Sequence, residues 1–193
     1  MAKGNRGGKR AGGSGKSPNT TKFSQKELDN AVFEYTTSRY MDINGGLRDG
    51  KVLNKSNRDI ANKLDYAINN STIKDGTTLY RGTTLESLGL SGSVKNLKVS
   101  DLKNLEGKTI TDNAFMSTST SQKSASIFSG RSMNTSGNVE FVINVNGNKK
   151  GLNVGKNSNF GDKENEVLLP RNANLKVTKV KRRLNKLTVY VDY

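Results

Sequence analysis

Three short segments of the chain carry residue types that could act chemically on a substrate. In Leu79–Gly82 an arginine ends a predicted strand, and a guanidinium offers a rigid fork of donors to phosphate oxygens. Phe115–Ser121 is a run of hydroxyl side chains behind two apolar residues. Glu164–Pro170 places two carboxylates at the start of an apolar strand, where alternation would put both on one side. Each segment also has a structural interpretation, namely a surface ion pair, a strand edge leading to a helix cap, and a solvated strand end.

The composition limits the reactions that such residues could perform. The 193 residues include no Cys and no His. A disulfide, a Cys–His or Ser–His nucleophile pair and a protein-built zinc site are therefore not expected. Any enzymatic activity must depend on carboxylates, guanidinium groups, amines and hydroxyls.

The chain is strongly basic, with a formal net charge of +15. Residues 1–22 hold six basic residues and no acidic one, which leaves 26 basic against 17 acidic residues in the remainder. Such a body is attracted to nucleic acid or to acidic protein surfaces, although surface lysines can also serve solubility alone. Nucleic acid therefore stays open as a partner.

The length and patterning predict one domain behind a polar leader. Residues 1–22 are rich in Gly, Lys and Ser and predict a disordered basic tail, and 23–193 predict a single domain. No apolar run approaches the roughly 20 residues of a membrane span, and the basic start lacks the apolar stretch of a secretory signal. We therefore expect no membrane contact and a cytoplasmic site of action.

The first part of the domain is predicted to be helical. Ser24–Glu27 fits a capping box, and Leu28, Val32 and Tyr35 then recur at helical spacing. The glycine pair at 45–46 and Gly50 are expected to break this pattern. A second helix is predicted from about Arg58.

From Thr77 onward the pattern changes to short strands. The predicted strands are Thr78–Arg81, Val139–Val145, Glu166–Leu169, Leu175–Lys181 and Leu187–Tyr193, and a short helix is predicted at Gln122–Phe128. Helices first and strands after indicate an α+β fold with a mainly antiparallel, sandwich-like β core.

Taken together and in order, the three segments resemble the mono-ADP-ribosyltransferase family of the Arg–Ser–Glu type, and most closely its bacterial toxin and exoenzyme branch. In that family an aromatic–Arg–Gly lies on one strand, a Ser-Thr-Ser on a second, and a Glu-x-Glu heads a third. The likeness runs from about Phe23 to the C-terminus. Phe128–Arg131 also resembles a Phe-x-x-Arg loop that closes over the substrate in toxin relatives. The resemblance implies the ADP-ribosyltransferase fold and NAD as a substrate.

The resemblance also implies roles for individual residues. Glu166 would be the catalytic carboxylate that stabilises the ribosyl cation, held in position by Ser117, in a state akin to that of glycoside cleavage. The residues expected to bind NAD are Tyr80, Arg81, Gly82, Ser117, Thr118, Phe128 and Arg131. Within this set Arg81 would grip the phosphates with help from Arg131, and Phe128 would pack on the nicotinamide.

Two further residues indicate which acceptor the enzyme would modify. In the family, a Glu two positions before the catalytic Glu goes with modification of arginine, and Glu164 holds that position. A guanidinium is protonated at neutral pH, so a carboxylate must orient it and help to remove its proton. Phe160, in the preceding loop 157–163, is a candidate anchor for the acceptor.

Several functions remain open at this point. Transfer to protein arginine is favoured over transfer to RNA or DNA, and a NAD glycohydrolase would use the same site with water as the acceptor. A non-enzymatic, basic nucleic-acid-binding domain is the alternative from another class. The chain could be a bacteriophage-encoded modifier or a delivered toxin, and a toxin would be expected to have an immunity protein as a partner.

Overall fold

The computed structural model describes residues 22–125 and 138–193. The predicted tail lies outside these residues, apart from Lys22. The helices are α1 (Gln25–Glu34), α2 (Tyr40–Arg48), α3 (Lys55–Asn69) and α4 (Val99–Lys103). A π-helical turn, Tyr35–Arg39, joins α1 to α2. None of the helices in the described ranges has the length and apolar character needed to span a bilayer.

Local hydrogen bonds explain where α1 begins and why it bends. The predicted capping box is present, because the backbone amide of Ser24 donates to the Glu27 carboxylate at 2.8 Å and the Ser24 hydroxyl accepts from the Glu27 amide. At the other end, the Thr36 hydroxyl donates to the carbonyl of Val32 at 3.0 Å and that of Thr37 to the carbonyl of Glu34 at 2.6 Å. Hydroxyls that bond back into the preceding turn bend helices.

Two predicted helix limits are wrong. Gly45 and Gly46 do not break the helical pattern, since α2 runs through both of them to Arg48. A Cβ at Gly46 would lie 2.6 Å from Leu53 Cδ2, so this glycine lets the next segment pack closely on α2. Helix α3 begins before Arg58 because the Asn54 side chain caps it by accepting from the backbone amide of residue 57 at 2.9 Å.

The strands form one large sheet and one small ribbon. The strands are β1 (Thr72–Ile73), β2 (Thr78–Thr83), β3 (Thr109–Asp112), β4 (Met116–Ser119), β5 (Val139–Asn144), β6 (Lys149–Lys150), β7 (Leu152–Asn153), β8 (Glu166–Leu169), β9 (Ala173–Arg183) and β10 (Lys186–Asp192). Eight of them follow the order β3-β9-β10-β5-β2-β4-β8-β7, and β1 pairs with β6. Among the described strands only β10 and β5 pair in parallel. The predicted α+β fold with a mainly antiparallel core is confirmed.

The five predicted strands correspond to β2, β5, β8, β9 and β10, with ends shifted by no more than two residues. Residues 122–125 are helical, as expected, and the rest of the predicted helix at 122–128 lies outside the described residues.

The two faces of the large sheet differ in what covers them. One face carries an apolar core that includes Leu79, Phe141 and Val189 and is closed by the segment between residues 85 and 105. On the opposite face, which we call the cleft face, a second core around Tyr35 and Phe115 packs the helices onto β4 and β8. We call β4 and β8 the helix-covered half of the cleft face. Among the residues that the structure describes, no second core packs on β5, β10 and β9 on this side, and we call these strands its uncovered half.

The sheet is weakest at its centre. Strand β2 pairs with β5 along all six of its residues but with β4 only through Tyr80 and Ser119. The two strands therefore diverge on either side of that pair, and the sheet opens there.

Candidate active site

A cleft of about 410 Å³ occupies the opening between β2 and β4. Helices and the turn between them supply Tyr35, Thr36, Tyr40, Asn44 and Arg48, and the strands and loops supply Tyr80, Arg81, Gly82, Ser117, Thr118, Ser119, Ala125, Phe160 and Glu166. Seven of the ten predicted site residues thus line one cavity. Phe128 and Arg131 lie outside the described residues, as does the side chain of Glu164.

Glu166 is the first residue of β8 and is buried, with 8% of its surface exposed. Its partner in the register is Ser119 on β4. Burying a carboxylate costs free energy of desolvation. Buried ionisable groups in clefts are therefore common at functional sites. Ser119 was not assigned a role from the sequence, because the register of β4 against β8 is visible only in the structure.

The strand alternation that was expected to relate the two glutamates does not extend to Glu164. Residues 161–164 form a 3₁₀ turn, and Asn165 has a left-handed backbone with φ of 46°. Its carbonyl accepts from the backbone amide of Thr120 at 3.1 Å. Glu164 therefore precedes the strand, and the alternation of side chains along a strand does not relate it to Glu166. Asn tolerates the left-handed conformation better than most residues.

Arg81 bridges the gap in the sheet. Its Nη1 donates to the backbone carbonyl of Ser117 at 2.7 Å, across the opening between β2 and β4. Burial lowers the pKa of the Arg81 guanidinium, and the carboxylate of Asp112 acts in the opposite direction. A guanidinium stays protonated in proteins, so a desolvated positive charge faces the cleft and attracts an anion strongly.

The three hydroxyls of the predicted Ser-Thr-Ser segment have different partners. The Ser117 side chain lies close enough to the phenol of Tyr35 to act against the rise in the pKa of that phenol. The Thr118 hydroxyl donates to the carbonyl of Val167 at 2.6 Å, which leaves only its lone pairs for a ligand. Ser119 Oγ accepts from the backbone amide of Ser121 at 3.0 Å.

A buried pair on the helices completes the cleft and was missed from the sequence. Asn44 Nδ2 donates to the Tyr35 phenol oxygen at 2.8 Å. Burial raises the pKa of the Tyr35 phenol, so the group stays neutral and keeps its proton to donate. Within the described ranges, Asn44 Oδ1 is buried without a hydrogen-bond partner. A buried acceptor that lines a cleft and lacks a donor is suited to a ligand that brings one.

Arg48 stands between this cleft and a second one of about 480 Å³, which it and Arg81 also line. Its Nε lies 3.0 Å from Asp112 Oδ1 and its Nη2 lies 2.8 Å from Oδ2, a bidentate pair that ties α2 to β3. Burial tends to raise the pKa of Asp112, but hydrogen bonds from Arg48 and from the Ala114 amide hold it below its ordinary value. An elongated ligand could pass from one cleft to the other between the two arginines.

The predicted acceptor loop is fixed to α1 and to the π-helical turn after it, at the mouth of the cleft. The backbone amide of Asn159 donates to Thr36 Oγ1 at 2.8 Å, and Asn157 Nδ2 donates to Asp29 Oδ1 at 2.7 Å. Phe160 lines the cleft and keeps 45% of its surface exposed. An exposed aromatic held on an anchored loop is suited to contact a second macromolecule.

Comparison with known proteins identifies what this arrangement resembles. Residues 13–192 match the family described as ADP-ribosyltransferase exoenzyme. No curated protein sequence matches the chain. The resemblance inferred from the sequence is confirmed by the family match.

Three solved structures share the fold. The C3 exoenzyme of Clostridium limosum is 19% identical with a TM-score of 0.71, over 89% of this chain and 86% of that chain. C3stau2 from S. aureus, solved with NAD, is 19% identical with a TM-score of 0.66, over 88% and 87%. The ADP-ribosyltransferase Vis, solved with agmatine, is 27% identical with a TM-score of 0.62, over 88% and 74%.

Proposed function

The chain belongs to the ADP-ribosyltransferase exoenzyme family, and on that premise we propose that it transfers one ADP-ribose from NAD to an arginine side chain of a protein. The predicted enzyme class and the predicted use of NAD are confirmed at the level of the family. The proposal of a transferase that acts on a protein rests on one observation. Buried Glu166 lines the same cleft as Arg81, Ser117 and the exposed Phe160.

NAD is held by the two clefts that meet at Arg48 and Arg81. The desolvated guanidinium of Arg81 binds the diphosphate, because fixed charge in a poorly hydrated site attracts anions more strongly than in water. Asn44 Oδ1 accepts a hydrogen bond from an amino or hydroxyl group of NAD, which satisfies its missing partner. Phe128 and Arg131 keep their predicted roles on the nicotinamide and the phosphates.

Glu166 stabilises the charge that develops when NAD is cleaved. The bond between C1′ of the ribose and the nicotinamide nitrogen breaks, and its electron pair leaves with nicotinamide. Positive charge is then shared by C1′ and the ring oxygen, as in glycoside cleavage. A carboxylate already fixed beside that charge lowers the barrier without reorganising. Ser117 and Ser119 lie on the neighbouring strand and keep this carboxylate in place.

The acceptor guanidinium completes the reaction. One of its nitrogens forms the new bond to C1′, and the proton that it loses passes to the carboxylate of Glu164. The comparison with Vis supports this choice, because agmatine carries the same guanidinium group as an arginine side chain. Phe160 supplies an apolar contact for the protein that carries the arginine.

The proposal also includes the place where the enzyme acts and its partners. NAD and its acceptors are available inside cells, so the enzyme acts in the cytoplasm of a host or target cell. A toxin role adds an immunity protein as a partner, and bacteriophage origin remains a prediction. The excess of 26 basic over 17 acidic residues outside the first 22 favours RNA or DNA as the second candidate acceptor.

Labelled NAD distinguishes these acceptors. The wild type, Glu164→Gln and the exposed control Glu106→Gln are each incubated with NAD, first with agmatine and then with a bacterial lysate. We expect ADP-ribosyl-agmatine and protease-sensitive label from the wild type and the control. Glu164→Gln should keep nicotinamide release and lose the adduct. Label that is removed by nuclease, or free ADP-ribose with no adduct, would contradict the proposed acceptor.

A further inference from the structure

The uncovered half of the cleft face is continuous with the catalytic half. One row of paired residues crosses six strands, namely Glu166, Ser119, Tyr80, Val142, Tyr190 and Lys179. Paired residues on neighbouring strands point to the same side of a sheet. Tyr190 therefore lies on the same side as Glu166, about 19 Å away at the usual spacing between strands.

This half of the face is densely basic. Residues 176–186 include six basic residues and no acidic one. Lys179, Lys181 and Arg183 on β9 and Lys186 at the start of β10 are all exposed on this side of the sheet. Like charges on neighbouring positions repel one another, so their clustering costs free energy that a bound polyanion would recover.

Most of these charges have no ion-pair partner among the described side chains. Lys186 Nζ lies 2.8 Å from the carboxylate of Glu140, which is buried and also accepts from Gln122 Nε2 at 3.2 Å. Lys179, Lys181 and Arg183 form no ion pair with any carboxylate whose side chain the structure describes. Three positive charges are thus left to interact with a partner.

An aromatic ring lies among these charges. Tyr190 is partly exposed, and Lys181 Nζ lies 5.3 Å from the centre of its ring. Beside it is a shallow groove of about 280 Å³, which Val142 and Thr188 also line. Aromatic side chains on an open sheet, flanked by cations, are a common platform on which single-stranded bases stack. An acidic peptide would use the cations but not the ring.

We propose that the basic face, defined as Lys179, Lys181, Arg183, Lys186 and Tyr190, binds single-stranded nucleic acid. The cations hold the phosphates, and Tyr190 stacks on a base. A strand lying along this face runs toward Tyr80 at the edge of the cleft, so it would bring a nucleic-acid-associated acceptor to the enzyme. Binding of nucleic acid to the basic face does not depend on which acceptor the cleft modifies.

Binding of fluorescein-labelled RNA and DNA single strands of 20 nucleotides, measured by anisotropy, tests the charges. The face variant is Lys179→Gln/Lys181→Gln/Arg183→Gln, and the control is Lys55→Gln/Lys95→Gln/Lys103→Gln, which removes equal charge from other exposed positions. Full-length protein is used throughout, so the tail is common to both. We expect at least tenfold weaker binding from the face variant and less than threefold from the control. The salt slope of the face variant should fall by about 2, at roughly 0.7 per lost phosphate contact.

Equal losses in the two variants would overturn the proposal, because binding would then follow net charge alone. Unchanged binding in the face variant would overturn it as well, and would assign the affinity to other basic residues such as those of the tail. Nicotinamide release from NAD confirms that each variant is folded.

The ring is tested separately, with Tyr190→Ala and the stacking-competent Tyr190→Phe. We expect Tyr190→Ala to weaken binding of the 20-mers by about tenfold and Tyr190→Phe to retain it, since one base–aromatic stack is worth about that much. An abasic oligonucleotide of equal charge should not distinguish the two variants. If Tyr190→Ala binds the 20-mers as wild type does, or if polyglutamate of equal charge competes as well as RNA, the face is a general polyanion site and the assignment to nucleic acid fails.

Discussion

The two halves of the cleft face differ in how far their charged side chains are exposed to water. In the cleft beside the helix-covered half, Glu166 is 8% exposed, and the Arg81 guanidinium, which reaches this cleft from β2, has its pKa lowered by burial. On the uncovered half, Lys179 and Lys181 are open to water. A charge in a poorly hydrated site acts strongly on a nearby charge, whereas solvated charges act weakly and through their number. Helix packing therefore decides which half can do chemistry and which can only attract a partner.

The largest effect is expected from Glu166→Gln on the helix-covered half. The amide keeps the shape of the side chain but removes the negative charge that faces the ribosyl cation. Nicotinamide release from NAD should fall by about a thousandfold, the upper range for one preorganised electrostatic group. Glu106→Gln should release nicotinamide as the wild type does. Near-normal turnover of Glu166→Gln would show that the chemistry does not depend on this half of the face.

Arg81→Lys is expected to have the next largest effect. Lysine keeps the charge but not the planar fork, so it cannot hold the Ser117 carbonyl and a diphosphate together. We expect kcat/KM for NAD to fall by roughly ten- to a hundredfold, mainly through a higher KM. Arg182→Lys, at a position outside the cleft, is the matched control. Equal kinetics for the two variants would remove Arg81 from the NAD site.

Tyr35→Phe tests the buried pair that joins the helices to the strands. Its hydroxyl accepts from Asn44 Nδ2, which would be left buried without this partner. The free energy of unfolding in urea should fall by about 1–3 kcal/mol, the cost of buried polar groups left unsatisfied. Tyr66→Phe, a partly buried ring packed edge-on to Phe23, is the control. A loss no larger than that of the control would show that this amide finds water instead.

The Arg48–Asp112 pair predicts a dependence on pH. The folded-state pKa of Asp112 is lowered, so the pair stabilises the protein above the ordinary carboxyl pKa of about 3.9 and loses this contribution as the pH falls through the folded value. Arg48 is 45% exposed, so we expect Asp112→Asn to lose only about 1 kcal/mol at pH 7. The difference from wild type should shrink below about pH 4. A difference that is constant with pH would assign it to packing.

The smallest effect is expected when the face variant is tested for NAD cleavage. Its three substitutions lie on the uncovered half, at positions that do not line the cleft. Nicotinamide release should stay within about twofold of wild type, because exposed charges this far away are largely screened at physiological salt. A loss above tenfold would mean that the two halves are not functionally separate.

The elements of the fold and the cleft residues that depend on local sequence patterns could be predicted from the sequence. The capping box at Ser24 and the alternation along β10 depend on neighbouring residues, and both are present. The cleft positions of Arg81, Ser117 and Glu166 follow from motifs that lie on strands.

Long-range pairing and bends could not be predicted. Asn44 meets Tyr35 only because the chain kinks between them, which breaks the helical period. Ser119 meets Glu166 through a register that no local pattern specifies. Lys176 and Lys179 share a face despite their odd spacing, because an irregularity in the pairing of β9 with β10 shifts the register between them.

A crystal structure of the Glu166→Gln variant with NAD would test the account most directly. We expect the nicotinamide ribose within hydrogen-bonding distance of residue 166, the diphosphate on Arg81, and a donor of NAD on Asn44 Oδ1. NAD bound away from the helix-covered half, or bound there with Arg81 and residue 166 both out of contact, would contradict the assignment of this cleft as the catalytic centre.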